Sequence, residues 1–437
     1  MGPGYTCARM SSRPIVELQG EDDRTRPVCW RWLGQGVSCH LKPSPQRMLR
    51  NLDTLAREIG PRGTGTAGEA AAADFVATRV SELGLPLEWQ KFRAVTSQNA
   101  FPLAIDWLAL AAVALYPLDG APARWLAAAL ALVTAPLLWQ TIRTSNCALR
   151  PWLPQAPSQN VVTRIEPRGE TRQRVVFLAH LDTNRCRMAW QSSTVRSLEP
   201  LTYLTLAILA SLGLIYLIGA WLGGPRWLWW ISLLPGGYVL ATVITLWVDD
   251  RTPFSCGAND NAASVVVGLE TAARLAQQPL ERTQVWVAFT GAEETDHAGL
   301  HVLLQAHVGE LREAAFIGLE GVGNGDIVYL NRQGLINHYR PDAELLALAG
   351  IVAARRPEFG VSAAQMTMED EVGTLRRAGY RAICVAGRDP STGSLPHWHR
   401  PDDTVDTVSP EVLERAVGFV MALLQELDNR QTLDGGK

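Results

Sequence analysis

The feature that most constrains the fold is two pairs of long apolar stretches, each joined by a short turn with glycine and proline. The first pair covers residues 103–118 and 125–139, and the second covers 201–222 and 227–248. Crossing a bilayer takes roughly 20 apolar residues, a length that the second pair reaches and the first does not. Helices buried in a soluble core are the alternative. The stretch at 201–222 has no polar stripe, however, and this favours a membrane helix.

Aromatic side chains at the ends of these stretches point the same way, because tryptophan and tyrosine concentrate at membrane interfaces. They are Trp107, Trp125, Trp139, Tyr203, Trp221, Trp227, Trp229, Trp230 and Trp247. We therefore predict two inserted α-helical membrane hairpins, at 101–140 and 201–248. Since a hairpin enters and leaves on one side, everything outside the hairpins can fold together on one face of the bilayer.

The remaining segments, 46–99, 141–200 and 249–430, amount to one discontinuous domain. Strands are predicted at 87–92, 160–165, 174–179, 284–289, 314–319 and 382–385, and helices at 67–83, 261–277, 343–354 and 411–427. Strands separated by helices predict an α/β fold with a mostly parallel (mixed) central sheet flanked by helices. In such sheets, ligands bind beyond the carboxyl ends of the strands.

Residues 1–45 are rich in proline, arginine, serine and glycine. They contain no apolar segment followed by a cleavage site, so we predict a poorly ordered tail rather than a signal peptide. The chain has 40 basic and 43 acidic residues and a net charge of −3. This balance of charge gives no sign of a basic surface, so we predict no nucleic-acid partner.

Polar residues follow the predicted strands at the points where the strands end. One buried strand runs into His180-Leu181-Asp182, a spacing that places His180 and Asp182 on the same face of an extended chain. Asp182 would then hold the His180 imidazole through one ring nitrogen, while the other ring nitrogen binds a metal. A second strand is followed by Glu293 and Glu294. Adjacent carboxylates are costly to bury unless a cation neutralises them, and two solvated loop glutamates are the alternative.

Three more residues complete a candidate metal site. Asp260 opens a predicted helix, where it is either a helix cap or a carboxylate that bridges two metals. Glu320 follows another strand, and His399 precedes an acidic turn late in the chain. Nitrogen and oxygen ligands without thiolate suit a pair of zinc ions. One glutamate of the adjacent pair would bind metal, and its neighbour would act as general base on the attacking water.

Taken in order, these motifs resemble those of the two-zinc exopeptidases that include aminopeptidase Y, bacterial leucine-type aminopeptidases and glutamate carboxypeptidase. The resemblance covers residues 47–427. By position, it implies that one zinc ion is held by His180 and Glu320, a second by Glu294 and His399, and that Asp260 bridges them. It also implies that Glu293 is the general base and that Asp182 orients the histidine.

The sequence departs from the family pattern at several positions near the site. Glu320 and Glu371 stand where aspartate is more common, and Asp296-His297 replace a usual Gly-Leu. None of these departures removes a ligand, so we expect a competent site, and the departures leave its specificity open. Because the second hairpin lies between His180 and Asp260, we also expect the active site to open near the membrane surface.

These observations predict a membrane-anchored, zinc-dependent metallopeptidase, with an aminopeptidase acting on peptides with a free amino terminus as the main interpretation. Carboxypeptidase or glutaminyl-cyclase-like activity in the same site is the first alternative, and a non-catalytic receptor-like relative is the second. The expected partners are peptide substrates and a lipid bilayer. We expect a multi-pass membrane protein. Positive residues near the membrane segments lie mainly on the domain side, which favours a cytoplasmic location for the peptidase domain.

Overall fold

The computed structural model describes residues 45–144, 148–190 and 192–434. The predicted tail, 1–45, therefore lies outside the described residues except for Pro45, which begins the first helix. The described strands are β1 (Leu87–Val95), β2 (Gln155–Ile165), β3 (Gln173–His180), β4 (Thr283–Thr290), β5 (Ala315–Glu320), β6 (Asp326–Gln333), β7 (Ser362–Met366) and β8 (Arg381–Arg388).

The described helices lie before, between and after these strands along the chain. They are α1 (Pro45–Asp53), α2 (Ala67–Glu82), α3 (Ala100–Leu115), α4 (Ala121–Thr144), α5 (Ser192–Trp221), α6 (Arg226–Asp249), α7 (Ser264–Gln277), α8 (Glu293–Asp296), α9 (Ala298–Ala306), α10 (Val308–Leu311), α11 (Ala343–Arg355), α12 (Glu371–Arg377) and α13 (Pro410–Asp434). The chain therefore has the predicted mixed α/β architecture.

All eight described strands form one sheet, in the order β1-β2-β4-β3-β5-β8-β6-β7. The central strands β4, β3, β5 and β8 are parallel to one another. On either side, antiparallel pairs join β1 to β2, β2 to β4, and β6 to β8. The chain passes from β3 to its neighbour β4 and then crosses to β5 on the opposite side of β3. This reversal opens a crevice at the carboxyl ends of the strands, where ligands bind in folds of this kind.

Alternating side chains of the central strands bury two separate cores. In β3, Val175 and Phe177 pack into the core that helices α1, α2, α7, α11 and α13 cover. Val176 and Leu178 point the other way, into a core that α9, α10 and α12 cover. Because side chains alternate with a period of two, a strand that is apolar at every position must be covered on both faces.

Four apolar helices form a separate bundle. In chain order α3, α4, α5 and α6 pack as a closed ring, with α3 against α6. Small residues such as Ala109, Ala112 and Ala131 fill its centre and allow close approach of the backbones. Three of these helices are long and apolar enough to cross a membrane, and α3 is shorter. Large apolar side chains cover the outside of the ring, including Trp221 at 79% exposed and Leu234 at 85%.

The structure adds elements that the apolar pattern did not predict. Strand β7 lies at the edge of the sheet, with β6 between it and β8. Because β7 (sequence SAAQM) is mostly exposed, it has no buried face for an apolar pattern to mark. The helix predicted at 261–277 begins regularly only at Ser264. The preceding residues form a distorted turn in which Asp260 and Asn261 have non-helical dihedral angles and are joined by a cis peptide bond.

We predict that Asp428 in α13 holds the beginning of β4 in place. Its buried carboxylate accepts hydrogen bonds from the backbone amides of Glu281 and Arg282, both at 2.9 Å, and from the Thr283 hydroxyl at 2.8 Å. Asp428→Ala leaves these groups unpaired, so we expect the free energy of unfolding to fall by about 1–3 kcal/mol. Denaturant unfolding measures this change.

Glu426→Ala is the matched control from the same helix. Glu426 pairs with the largely exposed Arg355, and surface ion pairs contribute about 0–1 kcal/mol. Equal destabilisation by the two substitutions would contradict the role given to Asp428.

Candidate metal centre

Three neighbouring parallel strands deliver predicted site residues to one edge of the sheet. His180 is the last residue of β3, Glu320 is the last of β5, and Glu293 and Glu294 follow β4 after a short turn. His180 pairs in register with Thr290 at the end of β4. The carboxyl ends therefore lie side by side, and the predicted residues converge without any long-range rearrangement.

Asp260 lies at the middle of the cluster, between two histidines that are far apart in the sequence. One carboxylate oxygen, Oδ1, lies 3.3 Å from His180 Nε2, and the other, Oδ2, lies 3.1 Å from His399 Nε2. All three side chains are buried. One carboxylate thus presents its two oxygens to two different imidazoles, which is the arrangement expected of a bridging ligand. This geometry favours the bridging interpretation over a helix cap.

Each histidine also faces a glutamate. His180 Nε2 lies 3.5 Å from Glu320 Oε2 and 3.8 Å from Glu293 Oε2. His399 Nε2 lies 3.1 Å from Glu294 Oε2. Donor atoms of His180, Asp260 and Glu294 all lie within 4.8 Å of one another. The structure therefore brings together all of the predicted ligands.

Asp182 acts mainly on the backbone that follows β4. Its carboxylate accepts hydrogen bonds from the amides of Glu293 at 3.0 Å and Glu294 at 3.2 Å, and from the Thr64 hydroxyl at 2.7 Å. The His180 Nδ1 atom lies 3.0 Å from the Asp182 carbonyl oxygen but 3.6 Å from its carboxylate. Asp182 therefore orients His180 largely through its backbone, while its side chain fixes the paired glutamates.

Several supporting residues carried no recognisable signal in the sequence. The fully buried Arg62 donates hydrogen bonds to the carbonyl oxygens of Leu181 and Gly257, both at 2.8 Å, and so joins the loop after His180 to the loop that carries Asp260. Asn261 donates to Glu320 Oε2 at 3.2 Å and accepts from the Gly321 amide at 3.1 Å. Only the folded chain makes these residues neighbours.

Asp403 fixes the loop that carries Asp260. Its buried carboxylate accepts hydrogen bonds from the amides of Asn259 at 2.7 Å and Asp260 at 3.1 Å. Burial raises the pKa of Asp403 to about 8, an effect that these hydrogen bonds oppose. The Arg-Pro-Asp-Asp-Thr segment that follows His399 therefore holds Asp260 in place as well as carrying a ligand.

The buried carboxylates of the cluster need positive charge nearby to remain ionised. Burial raises the pKa of Glu293 and of Glu320 well above the usual range, although the neighbouring His180 opposes this shift in both. For His399, burial lowers the pKa, but Glu294 and Asp260 outweigh it and raise the value to about 9. Carboxylates packed this closely are stable in their charged form only beside cations. The imidazoles supply that charge in part, and metal ions would supply it fully.

His297 is a further member of the site. Its Nε2 atom lies 3.2 Å from Glu293 Oε1, and its Nδ1 atom lies 2.8 Å from the Thr374 hydroxyl oxygen. His297 and His399 have φ angles of 53° and 51°, a left-handed conformation that costs roughly 1–2 kcal/mol for a residue other than glycine. Backbone strain of this kind clusters at functional sites.

The cluster lies in a cavity of about 390 Å³. His180, Asp260, Glu293 and His399 line one side of it. Asp296 and Glu369 add further carboxylates, which pair with Arg150 at 3.1 Å and with Arg377 at 2.8 Å, and no lysine or arginine is found among the described lining residues. Trp190 and Trp398 pack against each other at a tilt, with ring centroids 4.7 Å apart, and both contact the His399 ring. The cavity has room for a small substrate close to the candidate metal ligands.

Comparison with known proteins supports the class predicted from the sequence. Residues 245–424 match the model of peptidase family M28. This segment includes Asp260, Glu293, Glu294, Glu320 and His399, so the family resemblance predicted from the sequence is confirmed.

Among curated proteins, the chain is similar to aminopeptidase YwaD of Bacillus subtilis (strain 168), with 30% identity over 184 residues. The aligned region is 40% of this chain and 39% of the relative, so the chain matches less than half of that protein's length.

Solved structures share the fold at low sequence identity. The zinc aminopeptidase BSAP from Bacillus subtilis matches with a TM-score of 0.53 and 16% identity, covering 89% of this chain and 96% of that one. Glutaminyl cyclase from Bacteroides thetaiotaomicron matches with a TM-score of 0.51 and 14% identity, covering 88% and 98%. These likenesses support the mixed α/β fold.

We predict that Asp403 is needed to keep Asp260 in place. Asp403→Ala leaves two buried amides without an acceptor, so we expect the free energy of unfolding to fall by about 1–3 kcal/mol and the content of bound zinc to fall with it. Unfolding curves and metal analysis of the purified protein measure both quantities.

The adjacent Asp402 provides a matched control. Its half-exposed carboxylate pairs with Arg400 and His397 at the surface, so Asp402→Ala should leave stability and zinc content close to those of the wild type. If the two alanine variants lose zinc equally, Asp403 does not have the role assigned to it.

Proposed function

We propose that the protein is a membrane-anchored zinc aminopeptidase that hydrolyses peptides with a free amino terminus. The observation that carries this proposal is the position of Asp260, whose two carboxylate oxygens face His180 on one side and His399 on the other. The family match and the aminopeptidase relative add support.

The donor atoms fit a pair of zinc ions. His180 and Glu320 would hold one ion, Glu294 and His399 would hold the other, and Asp260 would bridge them. Asp260 Oδ2 is buried and accepts no hydrogen bond, although His399 Nε2 lies only 3.1 Å away. Glu294 Oε1 also lies 3.1 Å from His399 Nε2. One nitrogen and two carboxylate oxygens therefore converge where a shared cation would bind all three. When bound, zinc would polarise the peptide carbonyl and lower the pKa of water.

Glu293 is the proposed general base. It is buried, lines the cavity and binds neither proposed ion, so its carboxylate is available to take a proton from the attacking water and pass it to the departing amine. The hydrogen bond from its backbone amide to Asp182 fixes its position. His297 contacts its other oxygen and limits the side chain to one orientation.

The charge of the cavity favours an aminopeptidase over a carboxypeptidase. A carboxypeptidase needs a cation to bind the free carboxylate of its substrate, and the described cavity lining contains no lysine or arginine. A receptor-like relative is disfavoured because all five ligands and Glu293 are present. Assays on aminoacyl amides and on amino-terminal glutaminyl peptides distinguish hydrolysis from cyclisation.

The bundle α3–α6 is the proposed membrane anchor. We propose that one discontinuous peptidase domain, formed by 46–99, 141–200 and 249–430, carries the bundle as two inserted hairpins, 101–140 and 201–248. The length and apolar surface of three of these helices support insertion into a bilayer. The hairpin turns lie together at the far end, where Arg124 donates a hydrogen bond to the Gly223 carbonyl oxygen at 2.6 Å.

If Glu293 is the general base, Glu293→Gln should retain zinc and fold yet lose about 10²–10⁴-fold in kcat. Glutamine keeps the size of the side chain but cannot accept the proton. Turnover of an aminoacyl p-nitroanilide and metal analysis of the same preparation provide the test. Glu358→Gln, a substitution of an exposed glutamate, serves as control. Near wild-type turnover by a zinc-replete Glu293→Gln protein would remove Glu293 from this role.

We predict that the peptidase domain faces the cytoplasm. The basic residues near the membrane on the domain side are Lys91, Arg93, Arg143, Arg150, Arg196 and Arg251, whereas the two hairpin turns carry only Arg124 and Arg226. Positive residues in short flanking segments favour the cytoplasmic side. A tag placed after Lys437 should therefore resist added protease in intact cells and be cleaved after permeabilisation. Cleavage in intact cells would place the domain outside.

A further inference from the structure

The cavity above the metal centre has a second wall, which is built by the apolar bundle. Phe101 of α3, Leu138 and Ile142 of α4, Leu198 of α5 and Leu246 of α6 all line the cavity that contains His180 and Glu293. All four helices contribute, each through the end that lies next to the peptidase domain. The bundle is therefore part of the proposed substrate pocket as well as an anchor.

Buried polar contacts hold these helix ends at a fixed position relative to the metal centre. Asn184 donates a hydrogen bond to Glu294 Oε2 at 2.9 Å and accepts one from Arg187. Arg187 in turn donates to Asp250 Oδ1, directly after α6, at 3.0 Å. The Arg187 side chain is only 3% exposed. A continuous chain of contacts thus connects a proposed zinc ligand to the end of a membrane helix.

The second hairpin makes another such connection through Trp190. This residue lies two positions before the start of α5, lines the cavity and contacts the His399 ring edge-on with centroids 4.7 Å apart. The apolar wall and the metal ligands are therefore parts of one packed unit, which allows a single substrate to contact both.

The lining side chains lie at the level expected for the membrane interface. The guanidinium of Arg143 lies over the Trp139 ring in α4, and that of Arg251 lies over the Trp247 ring at the end of α6. Both tryptophans are exposed and lie next in sequence to the lining residues Leu138 and Leu246. Paired aromatic and basic side chains of this kind mark the boundary between apolar and polar regions of a bilayer. Amphiphilic molecules concentrate at that boundary.

We propose that the substrates are short amphiphilic peptides taken from the membrane interface, and that their apolar side chains after the first residue lie against the ends of α3–α6. This inference rests on the proposed aminopeptidase function. With the first peptide carbonyl at the metal ligands, the later residues extend along the remaining wall of the cavity. That wall consists largely of the helix ends.

The experiment uses zinc-loaded, full-length protein in lipid vesicles and two tripeptides, Ala-Leu-Leu and Ala-Ser-Ser. Because both begin with alanine, any preference for the first residue cancels. We expect kcat/KM to be at least about tenfold higher for Ala-Leu-Leu, the order of discrimination that apolar pockets give for added methylene groups. Alanine p-nitroanilide is measured in parallel as a substrate without later residues.

Leu246→Ala and Ile142→Ala each remove part of the wall, and each should lower the ratio of the two kcat/KM values by about threefold or more. Using two positions keeps the test decisive if one variant fails to fold. Ile244→Ala is the matched control, because Ile244 lies in the same helix but is 55% exposed on the outer face and does not line the cavity. It should leave the ratio unchanged.

The outcomes separate the two levels of the proposal. If the wild type hydrolyses alanine p-nitroanilide but shows no preference between the tripeptides, or if the wall variants keep the wild-type ratio, the inference is wrong and the aminopeptidase function stands. If the zinc-loaded wild type hydrolyses none of these substrates, the proposed function fails and the inference fails with it.

Discussion

The structure depends on the burial of Asp260 between two histidines and three glutamates. Burying so much acidic charge is unfavourable unless cations or hydrogen-bond donors compensate for it. The imidazoles of His180 and His399 compensate for part of this negative charge, and metal ions would compensate for the rest. Much of the surrounding polar structure follows from this constraint. The buried side chains are shielded from water, so hydrogen bonds from other parts of the protein must hold them in place.

The supporting contacts have one property in common, which is that each joins two segments that carry site residues. Arg62 connects the loop after β3 to the loop of Asp260, and Asp403 connects that same loop to the segment of His399. Asp182 connects the end of β3 to the paired glutamates. Other contacts reach the candidate ligands themselves, since Asn261 donates to Glu320 Oε2 and Asn184 donates to Glu294 Oε2. Hydrogen bonds of this kind are how surrounding residues orient the ligands of a metal site.

The position of the two apolar hairpins in the chain has a structural consequence. The second hairpin is inserted between His180 and Asp260, two residues whose side chains lie 3.3 Å apart. The start of α5 and the end of α6 must therefore lie close to the candidate metal centre, and the Arg187–Asp250 contact joins the segment before α5 to the end of α6. Inserted at this position, the hairpin supplies part of one wall of the cavity.

The sequence by itself determined the alternation of strands and helices, the apolar bundle and the identity of the candidate ligands. These are local properties: a buried strand must be apolar throughout, a membrane helix must be long and apolar, and the polar residues stand directly after strands. It did not reveal β7, whose exposed edge position leaves no apolar pattern, or the distorted turn at Asp260. Tertiary structure alone decided that Arg62, Asn261, His297 and Asp403 support the site, and that all four bundle helices line the cavity. These contacts join residues far apart in the chain, and their geometry depends on how the sheet, the loops and the bundle pack, which no local pattern records.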